Sequence, residues 1–221
     1  MIGRLWAVAV AAVAVLYGRA WRFDLHCDDM LVLRPWSWAE LTGVWHGTWE
    51  PQHGWAVFFR PLSAWFYAGS FATFGVHAVA HQLLSLGLLA AVIAAAALFV
   101  AGESDSLSIG IVTALLIAMH PNTPWSTGTW LTNDFHKLAG LFALGALLSW
   151  QRRRAQPLAA WWPVVLCAIA AALVKEDNIV LLPAIAVMHT LRGRWHEHTG
   201  PSPRAVALLA AVVAAALVAW R

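Results

Sequence analysis

The chain has 221 residues, of which 61% are hydrophobic and 11% charged; its mean hydropathy is +0.66 and its net charge +3. Ordinary soluble domains carry about 25% charged residues, so the composition excludes that class, and the modest charge, gathered in short clusters, speaks for membrane topology and against nucleic-acid binding. Cys27 and Cys167 form no CxxC pair, which excludes a zinc or dithiol motif.

Fifteen tryptophans, many at the edges of apolar runs, match the aromatic belt of a membrane interface. The expected fold is all-α: a polytopic transmembrane bundle of about seven spans, in one domain over 1–221. It divides into a first span at 5–20, an outer loop at 21–75 carrying interfacial helices, and the remaining spans at 76–221.

Arg4 precedes the Ala/Val-rich run Leu5–Tyr17. A cleaved signal peptide competes with an uncleaved anchor here; the run continues towards Trp21 without a small-x-small cleavage site, which favours the anchor. With the amino terminus inside, residues 21–60 lie outside.

Next comes His26-Cys27-Asp28-Asp29. Two adjacent carboxylates this close to a membrane-length apolar run are costly unless they reach water. They read either as caps for free backbone N–H groups or as a functional pair. Further on, Ser37 with Glu40 reads as a capping box for a short helix placing Trp38, Leu41 and Trp45 on one face. Such a helix fits the membrane surface, or a soluble helix packed on a loop.

Arg60-Pro61 opens an apolar, aromatic run, Leu62–Phe74, broken by Gly69 and Gly75. Val76–Ala101 is long enough to cross a bilayer at ~20 residues per span. Further spans are expected at Leu107–Met119, Leu131–Trp150, Leu158–Val174, Ile179–Thr190 and Ala205–Trp220.

Basic residues set the directions. Arg152-Arg153-Arg154, and Arg192 and Arg194 with Arg204, are the two clusters expected in the cytoplasm. Counting spans between them places Lys175-Glu176-Asp177 and the 120–130 loop outside. Leu62–Phe74 then becomes an interfacial or re-entrant helix.

The outer face thus collects Asp28, Asp29, Arg60, His120, Asn133, Asp134, His136, Lys137, Lys175, Glu176 and Asp177. Ionisable groups at a membrane edge point to function by default, although Lys137 and Asp134 can also simply pair along one helical turn. His77 and His81 share a helix face at metal-pair spacing, but no third ligand accompanies them and hydrogen bonding at a helix end is the plainer role. His26 with Asp28 and Asp29 is the better metal candidate, an oxygen-rich set suited to Mg²⁺ or Mn²⁺.

The order of motifs resembles a family. An outer Asp pair after the first helix, then Arg60-Pro61-Leu62, Gly75-Val76-His77-Ala78-Val79-Ala80-His81-Gln82, His120-Pro121, Asn133-Asp134 and Lys175-Glu176 before Pro183 resemble the integral-membrane GT-C glycosyltransferases. That group includes protein O-mannosyltransferases and lipid A aminoarabinose transferases. The resemblance implies transfer of a hexosyl or pentosyl group from a polyprenyl-phosphate donor to an acceptor on the extracytoplasmic face, with a bacterial plasma membrane as the setting.

It also implies that Asp28 or Asp29 is the base or metal-positioning group, and that Arg60, Lys137 and Lys175 stabilise the donor phosphate. His120, Asp134 and Glu176 are further polar candidates on that face. Family members usually have more than ten spans, so a truncated form, a minimal variant, or one needing a missing half or partner subunit is expected. The competing expectation is a non-catalytic relative, or a lipid-binding or transport subunit. Transport predicts ionisable groups at mid-bilayer or two similar halves, whereas internal residues such as Thr113 and Ser149 are weakly polar and no repeat is visible.

Overall fold

The computed structural model describes residues 1–25, 27–48, 58–120, 131–195 and 200–220, and every regular element among them is helical. The helices are α1 (Ile2–Tyr17), α2 (Cys27–Val32), α3 (Trp38–Gly43), α4 (Pro61–Phe74), α5 (Ala78–Ser104), α6 (Leu107–Met119), α7 (Asp134–Arg153), α8 (Trp162–Val174), α9 (Leu181–Trp195) and α10 (Pro203–Trp220). Short 3-10 turns lead into α7, α8 and α9.

Helix α5 organises the first half. Its small residues Ala90, Ala94, Ala97 and Ala101 are buried against Leu5, Ala9 and Val13 of α1 and Ala114 and Ala118 of α6. Small side chains let helix backbones approach closely, and Gly110 of α6 uses that space: a Cβ there would meet the Ala101 methyl at 2.8 Å and the Ala97 carbonyl at 3.0 Å. A second core joins α7 to α10 around Trp150, Trp161, Val164, Ile185 and Val206. A third, of Val32, Leu33, Tyr67, Leu131, Phe135 and Val174, ties α2 and α4 to the start of α7 and the end of α8.

Hydrogen bonds fix which helix ends share a level. Glu103, near the end of α5, accepts from Gln151 Nε2 at 2.8 Å and Arg154 Nη1 at 2.7 Å, and pairs with Arg192 of α9. Trp161, leading into α8, donates to the Arg153 carbonyl at 3.1 Å. The ends of α5, α7 and α9 and the beginning of α8 therefore lie together, with members of both basic clusters. At the opposite end gather α2, α4, the start of α7, the end of α8 and the turn before α9.

Among the described helices only α5, with 27 residues, is both long and apolar enough to cross a membrane. Helix α7 has 20 residues but carries Asp134, Lys137, Arg152 and Arg153. The apolar helices α1, α6 and α8 run 13 to 16 residues, about 20–24 Å at 1.5 Å per residue, against a hydrocarbon core of ~30 Å.

The run from Pro61 is continuous through Gly69, contrary to the break expected there. It stops only at Gly75, whose φ of +57° ends the helix. Ser37 and Glu40 form the capping box expected of them, Glu40 N–H donating to Ser37 Oγ and Ser37 N–H to Glu40 Oε2. Leu41 of α3 is buried, but Trp38 remains 71% exposed and meets Trp65 of α4 edge to face at 5.6 Å.

Candidate functional site

Helix α4 supplies the side chains that organise the polar end. Ser63, Tyr67 and Ser70 stand at i, i+4 and i+7, one face of the helix, and all three are buried. Ser63 Oγ donates to the Val174 carbonyl at the end of α8, 2.7 Å away. Tyr67 Oη donates to the Thr132 carbonyl at 2.6 Å and accepts from Phe135 N–H at 3.3 Å, so one phenol satisfies both sides of the turn into α7. Ser70 Oγ lies 2.9 Å from His81 Nδ1, and the other ring nitrogen lies 2.9 Å from the Gly75 carbonyl. His81 is thus a structural residue joining α4 to α5, while His77 is exposed.

The acidic pair is split by its surroundings. Asp29 is fully buried, and its Oδ1 accepts from both the backbone N–H and the hydroxyl of Thr132, each at 2.8 Å. Asp28, one residue earlier on α2, is half-buried and has no hydrogen-bond partner among the described residues. Two neighbours of identical chemistry therefore do different work: Asp29 fastens α2 to the start of α7, and Asp28 keeps an available carboxylate.

Each of the three expected phosphate-binding cations meets a carboxylate. Arg60 grips Glu176 with two bonds, Nε to Oε2 at 2.8 Å and Nη2 to Oε1 at 3.0 Å. Its guanidinium also lies over the rings of Phe58 and Phe135, at 4.3 and 4.6 Å from their centroids. Burial would raise the Glu176 pKa, but the Arg60 bonds outweigh it and hold the carboxyl below its ordinary range. Lys137 and Asp134, both almost fully buried, pair at 2.6 Å, and Ser85 of α5 completes the group by donating to Asp134 Oδ1 at 2.7 Å and contacting Lys137 Nζ. Lys175 pairs with Asp177, whose side chain is 68% exposed; the lysine holds that carboxyl below its usual range.

The chain matches no family model, no curated protein and no solved structure.

The structure thus brings Asp29, Asp134 and Lys137 into the buried floor of this end, with Arg60 and Glu176 beside them. Lys175 lies at its edge, and His120 is exposed at the end of α6. His26 and the segment 121–130, including Pro121, lie outside the described residues. Among the described residues no group of three or more His, Cys, Asp or Glu side chains is placed to hold a metal ion. Of the expected His26, Asp28 and Asp29 set, the described residues include the two carboxylates, one of which has an oxygen engaged by Thr132.

Beside Glu176 and Asp177 a cavity of about 480 Å³ runs between the end of α8 and the end of α10. Phe59, Leu173, Ile179, Val180, Leu217 and Val218 make it apolar, and the two carboxylates are its charged groups.

Thr132, Ser63, Tyr67, Ser70 and Ser85 were not expected as site residues. The first two serines and the tyrosine had a signal: a polar stripe at helical spacing along an otherwise apolar run. Thr132 had none, because its role depends on meeting Asp29 across 103 positions of sequence.

Proposed function

We propose that the chain is an integral-membrane transferase of GT-C type, moving a sugar from a polyprenyl-phosphate donor to an acceptor hydroxyl, with Asp28 as the base. Helices α1 and α5 to α10 cross the bilayer, the shorter ones completed by their flanking turns, and the acidic pair faces the extracytoplasmic side. The supporting observation is the division of labour between Asp28 and Asp29. A buried, doubly hydrogen-bonded carboxylate anchors the loop, and its half-buried neighbour retains an oxygen to take the acceptor's proton as the sugar–phosphate bond breaks.

The donor's phosphate must displace a carboxylate, since Arg60, Lys137 and Lys175 are all paired. The same observation supports a second reading, a non-catalytic lipid-binding relative whose cations serve packing alone.

Transfer from a labelled polyprenyl-phosphate sugar separates the two. Asp28→Asn is expected to lower transfer by ~10²-fold or more, the scale of a lost general base, with unchanged thermal unfolding. Asp29→Asn is expected to lower the unfolding temperature. Full transfer by Asp28→Asn sinks the base assignment, and donor binding by wild type without transfer favours the second reading.

A further inference from the structure

We propose that the cavity between α8 and α10 is a binding site for a zwitterionic aminophospholipid, with an acyl chain in the cavity and a phosphoethanolamine headgroup on Lys175 and Asp177. The inference rests on the membrane part of the reading above and not on the transfer reaction. The cavity's volume of about 480 Å³ falls among ligand-sized pockets of ~300–1,000 Å³. Its walls are apolar, and its charged groups are Glu176 and Asp177.

These two carboxylates are not equivalent. Glu176 is committed to Arg60 through two bonds, on an arginine that is 8% exposed. Asp177 is 68% exposed at its side chain, and its partner Lys175 17%. Such a pair exchanges partners readily, since solvent already competes for it.

Charge decides the occupant. A purely anionic headgroup at this rim takes Lys175 from Asp177 and leaves that carboxylate unpaired beside its phosphate. A purely cationic one strands Lys175. A headgroup carrying both signs leaves neither alone: its phosphate accepts from the Lys175 ammonium while its own primary ammonium donates to Asp177. Those are charge-assisted hydrogen bonds on both sides, and a quaternary ammonium has no N–H with which to make the second.

The test uses the full chain in lipid nanodiscs holding equal amounts of phosphatidylethanolamine and phosphatidylglycerol with identical acyl chains. Lipids kept by the protein after detergent release are counted by native mass spectrometry. Wild type is expected to retain ethanolamine lipid at least about twofold over its share of the bilayer, the scale of one exposed charged contact. Asp177→Asn should bring the ratio back to that of the bilayer. Val218→Trp, at an exposed position of α10 lining the cavity, should reduce retention of both lipids by filling the space.

Retained lipid that mirrors the bilayer in wild type, or a preference that survives Asp177→Asn, overturns the site while leaving the transferase reading standing. Failure of the protein to enter nanodiscs at all overturns the membrane reading, and this site with it.

Discussion

Arg60 and Glu176, 116 positions apart, meet through two parallel N–H···O bonds at 2.8 and 3.0 Å. The planar guanidinium matches the carboxylate edge, a geometry that lysine cannot reproduce. One arm of the clamp precedes α4 and the other follows α8, so the pair locks the segment before α4 onto the far half of the bundle. Arg60→Gln is therefore expected to destabilise the protein by ~1.5–3 kcal/mol, the scale of hydrogen bonds to a charged group, since the Glu176 carboxylate is only half-buried. Thermal unfolding in detergent measures it, and Arg60→Lys should recover only part of the loss.

The same pair sets an acid limit. Arg60 depresses the Glu176 pKa below its unfolded value, so its stabilisation is fully present above the usual carboxylate range, ~4.3. It is lost as pH falls through the folded value below that. Unfolding temperature should drop, as pH falls below about 4.3, more steeply in wild type than in Glu176→Gln. Parallel curves for the two proteins would refute the linkage.

Ser85, Asp134 and Lys137 form a unit in the interior. Removing one charge strands the other, at a cost of ~3–5 kcal/mol. Lys137→Met and Asp134→Leu should each lower the unfolding temperature sharply, while the double variant, which leaves neither charge behind, should be more stable than either. An additive double variant would mean that the two charges do not depend on each other.

At the opposite end Glu103 joins α5, α7 and α9. Glu103→Gln removes the charge shared by Arg154 and Arg192 and is expected to cost ~1.5–3 kcal/mol. The loss should shrink in Glu103→Gln, Arg192→Gln relative to the sum of the single variants.

The two ends of α5 also test the topology. In a background with Cys27→Ser and Cys167→Ser, His77→Cys should react with a membrane-impermeant thiol reagent in intact cells. Ser104→Cys should react only after permeabilisation. Equal labelling of both positions in intact cells would sink the spanning assignment of α5.

Local chemistry was legible in the sequence, and distant partnership was not. The Ser37–Glu40 capping box and the Asp134–Lys137 pair are contacts three residues apart, and their spacing alone brings them together. The long helix around Ala90 to Ala101 follows from an unbroken run of small apolar residues. By contrast, nothing adjacent to Asp28 and Asp29 distinguishes them; Thr132 does, by meeting one and not the other. Of the carboxylates that face Arg60, Lys137 and Lys175, Asp134 is within reach of its lysine by spacing alone, whereas Glu176 reaches Arg60 only through the tertiary fold. Glycine weakens helices, which predicts a break at Gly69, yet the burial of Ser63, Ala64, Tyr67 and Ser70 on one face outweighs a propensity cost of about 1 kcal/mol.

On the membrane reading proposed above, helix α7 would give the chain an order of assembly. A nascent segment bearing Asp134 and Lys137 partitions poorly into lipid by itself, although the two side chains sit one turn apart and cancel much of each other's charge. What their pairing leaves unsatisfied is met by the hydroxyl of Ser85, which belongs to the one described helix long and apolar enough to cross a membrane. Because α5 is synthesised first, that hydroxyl is already in place when the charges emerge. In the bilayer arrangement proposed above, the least apolar long helix would enter against a surface prepared to receive it, and a Ser85→Ala chain is expected to insert α7 more slowly.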